Sequence, residues 1–175
     1  MFLNKVKIFL VISLIQFFFF LNYNNSQSQE ITLIKGIAKV TDGDTIRIKT
    51  KKIRLLGIDA PEIKQQCQKS WISLSFLTFN KNYFCGVVSK EKLKNKINGK
   101  IVTCKITNKD RYNRFIAECF KGKINLNRWM VRNGHAVAYK IYSKKFMIQE
   151  DMAKNEKLGL WAGSFEMPWE WRKKN

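Results

Sequence analysis

Between residues 101 and 120 the chain folds back on itself, and two cysteines constrain how. Residues 101–106 and 114–120 read as strands on either side of the turn signal Asp110-Arg111-Tyr112-Asn113. A turn centred on Arg111 and Tyr112 sets Cys104 opposite Cys119 and Ile106 opposite Ala117. Directly opposed residues of antiparallel strands lie within disulfide reach. The register therefore supports Cys104–Cys119 among the three pairings that four cysteines allow, and leaves Cys67–Cys85 to staple the preceding segment. No C-x-x-C spacing occurs, which argues against zinc held by these thiols.

The remaining elements fit around this hairpin. Residues 31–40 look extended and run into Thr41-Asp42-Gly43-Asp44, a turn signal. Residues 45–49 alternate cleanly, and 53–58 form a second strand that is apolar on both faces. That strand meets Asp59-Ala60-Pro61-Glu62, where Pro61 pushes Ala60 out of helical geometry. Residues 63–83 show no clear period. Residues 89–97 suit a helix closed by Asn98-Gly99, 125–133 a helix with Gly134 past its end, and 136–139 a brief extended piece. Ser143 is placed to cap a last helix that stops near Leu158-Gly159. Short strands first, with helices between and after, predict an α+β domain around a small barrel.

The N-terminus speaks to location. Lys5 and Lys7 precede an apolar run from Ile8 to Leu21, broken only by Ser13 and Gln16. Such a run falls short of the roughly 20 residues of a membrane span but suits a signal peptide. Residues 1–28 are accordingly read as a signal, with Ser26 and Ser28 before the cleavage point. An uncleaved anchor is the alternative, and the one case in which a membrane is a partner. Export, to a periplasm or to the medium, agrees with an even cysteine count. The full chain carries 33 Lys+Arg against 13 Asp+Glu, a formal +20. Loss of 1–28 removes two lysines and no acid, so the basic character belongs to the folded domain. It draws the protein to polyanions, although a chain rich in Lys, Asn, Ile and Phe also reflects general residue bias.

Three segments concentrate the informative charges. Asp42-Gly43-Asp44-Thr45 places two acids around a turn, suited to a hard cation or simply to an Asx turn. Arg54 lies in an otherwise apolar strand and needs a partner, with Asp59 and Glu62 following at its mouth. A buried Arg–Asp pair is the alternative reading. Asp110-Arg111-Tyr112-Asn113-Arg114, taken alone, is a solvated turn with a guanidinium at its exit.

Together, D-G-D-T, R-L-L-G-I-D-A-P-E and D-R-Y-N-R, followed by Leu158-Gly159-Leu160-Trp161, resemble the thermonuclease (staphylococcal-nuclease-like) family in order and spacing. Paired cysteines, Leu126-Asn127-Arg128-Trp129 and Pro168-Trp169-Glu170-Trp171 resemble its exported bacterial members. The resemblance implies a five-stranded OB-fold barrel with about three packed helices over residues 29–165, followed by a basic, Trp-containing tail over 166–175. It further implies a monomeric, calcium-dependent nuclease that cuts DNA and RNA and leaves 3′-phosphates. Carried over by position, the calcium ligands fall on Asp44, Asp59 and the carbonyl of Ala60, with Asp42 and Thr45 behind them. The phosphate-binding arginines fall on Arg54 and Arg114, and the catalytic glutamate on Glu62. Arg111, Tyr112 and Tyr139 fall around the bound nucleotide. Ala60 stands where some relatives have Thr, and Asn113 where the turn commonly has Gly; Asn tolerates the left-handed conformation.

Two other classes are weighed against this reading. A non-catalytic OB module would bind single strands by charge and stacking, but has no need of acids in a phosphate groove. A basic membrane-binding protein would show a strongly amphipathic basic helix, which the sequence lacks. His135 follows a helix stop and reads as structural, and Trp129, Trp161, Trp169 and Trp171 as packing residues rather than a base-stacking platform.

Overall fold

The computed structural model describes residues 32–74 and 77–175 together with Gln16, with side chains for all of these except 71–78. The signal read over residues 1–28 lies outside the described residues, except for Gln16. Five strands close a barrel: β1 (Leu33–Asp42), β2 (Thr45–Ile48), β3 (Lys51–Leu55), β7 (Ile101–Lys109) and β8 (Phe115–Lys121). They follow the order β3-β2-β1-β7-β8, and β8 returns to β3 in parallel, so no edge is left open. The short β9 (Ile124–Asn125) extends β8. Alternation drives closure, since one face of each strand must leave water. Ile34, Ile46, Ile48, Ile53, Leu55, Val102, Ala117 and both hairpin cysteines are buried in one core.

The hairpin forms as its alternation predicts, with Cys104 opposite Cys119, Ile106 opposite Ala117, and a Cys104–Cys119 disulfide. Nearer the turn the register shifts by one residue between Ile106 and Asn108. The loop therefore centres on Tyr112, and Asn113 adopts a left-handed conformation at φ 59°. The Asp110 carboxylate accepts the N–H groups of Tyr112 and Arg114 and holds this wider turn.

Residues 53–58 are not one strand. β3 ends at Leu55, and Gly57 at φ 71° turns the chain into β4 (Ile58–Asp59), which pairs with β10 (Val137–Ala138) in a separate sheet. A left-handed residue inside a strand breaks it, and glycine adopts that conformation without strain. The buried Asn127 amide clamps the break by donating to the carbonyls of Leu56 and Ala117, while its oxygen accepts the Cys119 N–H.

The segment without a clear period forms a hairpin, β5 (Gln66–Leu74) with β6 (Leu77–Phe84), bordered by β11 (Gly163–Ser164). Four α-helices occur among residues 32–74 and 77–175, in keeping with the expected set of about three around a barrel: α1 (Cys85–Ile97), α2 (Leu126–Arg132), α3 (Met147–Asn155) and α4 (Pro168–Lys174). α1 begins four residues before Ser89, because Cys85, Ser89, Leu93 and Ile97 form one buried stripe at helical spacing. Ser143 does not cap α3, which has Phe146 at its N-cap; the Ser143 hydroxyl accepts the Lys145 N–H in the loop before it. The segment read as a tail contains α4.

His135 packs its ring against Trp129 with centroids 5.3 Å apart. Burial, with the Lys92 charge, pushes its pKa down from 6.5 to about 4. The unfolded chain therefore takes up a proton first as pH falls, so the stability held above pH 6.5 is lost between there and 4. The expected loss is about 3 kcal/mol. Urea unfolding at pH 7 and pH 4.5 should show this drop in the native protein and a smaller one in His135→Gln.

Candidate active site

The acid cluster is assembled by a close approach of backbones. Gly43 sits where an added Cβ would fall 2.6 Å from the Ala60 Cβ and 2.0 Å from the Ser89 Oγ, so no larger residue fits between Asp42 and Asp44. Gly86 sits where an added Cβ would meet the Glu62 carbonyl oxygen at 1.9 Å. Glycine at both places lets α1 press the 60–62 segment against the turn after β1. The Asp44 N–H donates to Asp42 at 3.2 Å, which makes that turn an Asx turn in addition to a source of acids.

Arg54 bridges the two acids the resemblance singles out. Its Nη1 donates to Asp44 Oδ1 and its Nη2 to Asp59 Oδ1, each at 2.7 Å. The Asp59 and Asp44 side chains are 0% and 5% exposed and that of Arg54 16%. Asp44 is held further by the Thr45 hydroxyl at 2.9 Å and the Ala60 N–H at 3.0 Å. Burial opposes ionisation of Asp44, but Arg54, the Ala60 N–H and the neighbouring side chains outweigh it and lower its pKa. Burial likewise works against the charge on Arg54, yet Asp44 and Asp59 hold its pKa above the ordinary value. Asp42 answers in the opposite sense: burial, then the Asp44 charge, pushes it up to about 7.

Glu62 is placed at the rim of this cluster. A buried glutamine fixes its backbone, since Gln65 Oε1 accepts the Glu62 N–H and the Gln65 N–H donates to the Glu62 carbonyl. Gln65 also accepts the Cys85 N–H at its carbonyl, and its Nε2 donates to the Glu166 carbonyl at 2.7 Å. The Cys67–Cys85 disulfide, with Cα atoms 5.6 Å apart, covalently ties β5 to the first residue of α1 beside this hub.

A fourth charged residue enters from α4. Arg172 grips Asp59 with both terminal nitrogens, Nη1 to Oδ1 at 3.1 Å and Nη2 to Oδ2 at 2.8 Å. Its Nη1 also donates to Glu62 Oε1 at 2.9 Å. Neither Gln65 nor Arg172 is visible as a site residue in the sequence. Pro168 at the first helical position, Glu170 early and Arg172-Lys173-Lys174 late do spell a helix, but nothing local says where it docks.

Arg114 makes no hydrogen bond to these acids. Its Nε donates to Asp110 at 2.7 Å, its guanidinium lies 5.4 Å from the Tyr112 ring centroid, and its terminal nitrogens bond to nothing else among the described residues. The parallel β3–β8 register, Ile53 beside Phe115 and Arg54 beside Ile116, sets it one alternation from Arg54, on the same face. Arg111 also covers Tyr112, at 5.0 Å. Tyr139 stands apart from this turn, stacked on Trp169 of α4 at 5.5 Å and near Tyr142 at 4.9 Å. Trp169 and Trp161 pack with the Cys67–Cys85 cluster and Trp129 against the main core, as packing residues should.

The donor set suits a hard cation. Asp44, Asp59 and the Ala60 carbonyl are all oxygen donors, whereas softer metals favour sulfur and imidazole. Among the described residues no three His, Cys, Asp or Glu side chains converge as ligands. A cation here would complete its sphere with water or substrate oxygens.

A closed five-stranded barrel thus carries paired buried carboxylates, a guanidinium that bridges them and a glutamate at their rim. The family described as staphylococcal nuclease homologue matches residues 52–163. The chain belongs to that family and, by that membership, is a hydrolase of the nuclease class. It is 32% identical over 144 residues to an Escherichia coli protein called an uncharacterized endonuclease, covering 78% of this chain and 82% of that one. A Haemophilus influenzae protein of the same description is 35% identical over 146 residues, 78% of this chain and 71% of its own. A probable staphylococcal-like nuclease of Oryza sativa is 35% identical over 134 residues, covering 75% of this chain but 23% of that longer protein.

Proposed function

We propose that this chain is an exported, monomeric, calcium-dependent nuclease that hydrolyses DNA and RNA to products ending in 3′-phosphates. The observation that carries the reading is the convergence of Asp44, Asp59 and the partly exposed Glu62 around Arg54 and Arg172, more acids than a buried Arg–Asp pair needs. Two buried acids held by one guanidinium fit a cation-binding and phosphate-binding pair better than a plain strand-binding groove. Export is supported by the composition of residues 1–28 and by two disulfides, which persist in oxidising compartments.

In this reading Asp44, Asp59 and the Ala60 carbonyl hold calcium, with Asp42 and Thr45 steadying Asp44. Calcium when bound supplies positive charge against the phosphate. Arg54 and Arg114 bind the non-bridging phosphate oxygens, where charge grows as water attacks phosphorus. Glu62 orients that water and takes its proton. The bond to the 5′ oxygen breaks, that oxygen gains a proton from solvent, and the phosphate stays on the 3′ side. Arg111 and Tyr112 flank the nucleotide from the 110–114 turn, and Tyr139 from the β10 side.

Residues 29–175 incubated with plasmid DNA or RNA should cleave both in calcium and neither in EGTA. Full activity in chelator would reject the metal. End-labelled digests should show 3′-phosphates; 3′-hydroxyls would reject the direction of bond breaking.

A further inference from the structure

Arg172 lies beyond the segment matched by the family, and its guanidinium makes three hydrogen bonds to Asp59 and Glu62 in the acid cluster. Asp59 Oδ1 accepts from both Arg54 and Arg172, and Oδ2 accepts from Arg172. Asp44 Oδ1 accepts from Arg54 and Thr45, and Oδ2 from the Ala60 N–H. Calcium binds oxygens directly at about 2.3–2.6 Å, so a calcium ion between these carboxylates would compete with the N–H donors that now fill most of their acceptor sites.

Charge selects the donor that leaves. Asp44, Asp59 and Glu62 face Arg54 and Arg172, so three negative charges meet two positive ones. A divalent cation seated on Asp59 would be repelled by both guanidiniums, and the one less firmly held gives way. Arg54 is anchored in β3, grips both acids and is 16% exposed, whereas Arg172 is 34% exposed and lies two residues from the end of α4. Returning the Arg172 guanidinium to water is the less costly change, because it is already partly hydrated.

The helix itself need not leave. Pro168 is buried, Met167 and Trp169 pack against the Cys67–Cys85 cluster, Trp169 stacks on Tyr139, and Gln65 holds the Glu166 carbonyl. These contacts precede Arg172 and are independent of its side chain.

We propose that Arg172 is a resident counter-ion of this site, so that calcium binding and release of its guanidinium from Asp59 and Glu62 are one exchange. The inference rests on the calcium reading above and adds the competitor that sets the affinity of the site. In the calcium-free protein the arginine keeps the acids paired and the site ordered. Calcium uptake then works against that pairing, which tunes the enzyme to calcium-rich surroundings.

The test is calorimetric titration of calcium into the folded protein without nucleic acid, for the native chain, Arg172→Gln and Arg172→Lys. Arg172→Gln should bind calcium more tightly by about 5–150-fold, the usual span of a coupling between two ligands, with Arg172→Lys closer to native. In the native protein, the side-chain Nε–H resonance of Arg172 should move on calcium addition. Native protein that binds calcium with Arg172→Gln unchanged or weaker overturns the exchange and leaves the calcium site standing. No calcium uptake by native protein or either variant overturns the calcium reading and the exchange with it. If Arg172→Gln fails to fold, by circular dichroism, the Arg172→Lys affinity and the native resonance shift decide the matter: no shift on calcium binding overturns the exchange.

Discussion

Glu62→Gln is expected to lower kcat on DNA by about 10²–10⁴-fold, the usual worth of a positioned general base, with little change in KM. The substitution keeps the shape and the hydrogen-bonding reach of the side chain and removes its negative charge. The backbone of Glu62 is held by Gln65 rather than by its own carboxylate, so the loop should stay in place. α4 should also stay docked, because buried Pro168, the Trp169 stack on Tyr139 and the Gln65 bond to the Glu166 carbonyl hold it independently of Glu62. The measurement is kcat and KM on plasmid DNA in saturating calcium, with DNA affinity taken separately under non-hydrolysing conditions. A variant that cleaves nearly as fast as the native protein would show that Glu62 neither orients nor deprotonates the attacking water.

Arg54 should show the second large effect, and it divides between stability and turnover. Arg54→Ala leaves Asp44 buried without its main counter-charge and removes one of two from Asp59. Breaking a buried pair in this way is expected to cost about 3–5 kcal/mol, read by urea unfolding in chelator. Arg54→Lys keeps the charge but has one ammonium where the guanidinium has two forks 2.7 Å from two different acids. It should fold, lose less stability than the alanine variant, and still lose most of its turnover. A lysine variant with native kcat would mean that charge alone suffices and that the bidentate geometry is dispensable.

How much of this was legible in the chain differs from element to element. The β7–β8 hairpin was readable because strand alternation and a polar turn are local, and opposed cysteines follow from them. Even there the turn centre moved, since the shift between Ile106 and Asn108 absorbs a residue that alternation on one strand does not reveal. The break at Gly57 was hidden because apolar residues lie on both sides of it. The turn there is stabilised by Asn127, which is 71 positions distant in sequence from Leu56. The β5–β6 hairpin had no readable period, and its pairing shifts between Ser70 and Ile72.

The alternation that builds a small barrel, the facing cysteines of β7 and β8, and the order of motifs that carries Asp44, Arg54, Asp59 and Glu62 into one family were all readable along the chain. These depend on neighbours along the chain or on spacing, and both are written in the residues. Packing of distant segments is what brings Arg172 to Asp59 and Glu62, joins Gln65 to α1 and to the residues before α4, and, by burial beside Asp44, raises the Asp42 pKa to about 7. Those depend on burial and on charges brought together from distant parts of the chain. A buried charge is governed by what surrounds it in space, and for Arg172 the surroundings lie 110 and 113 residues away.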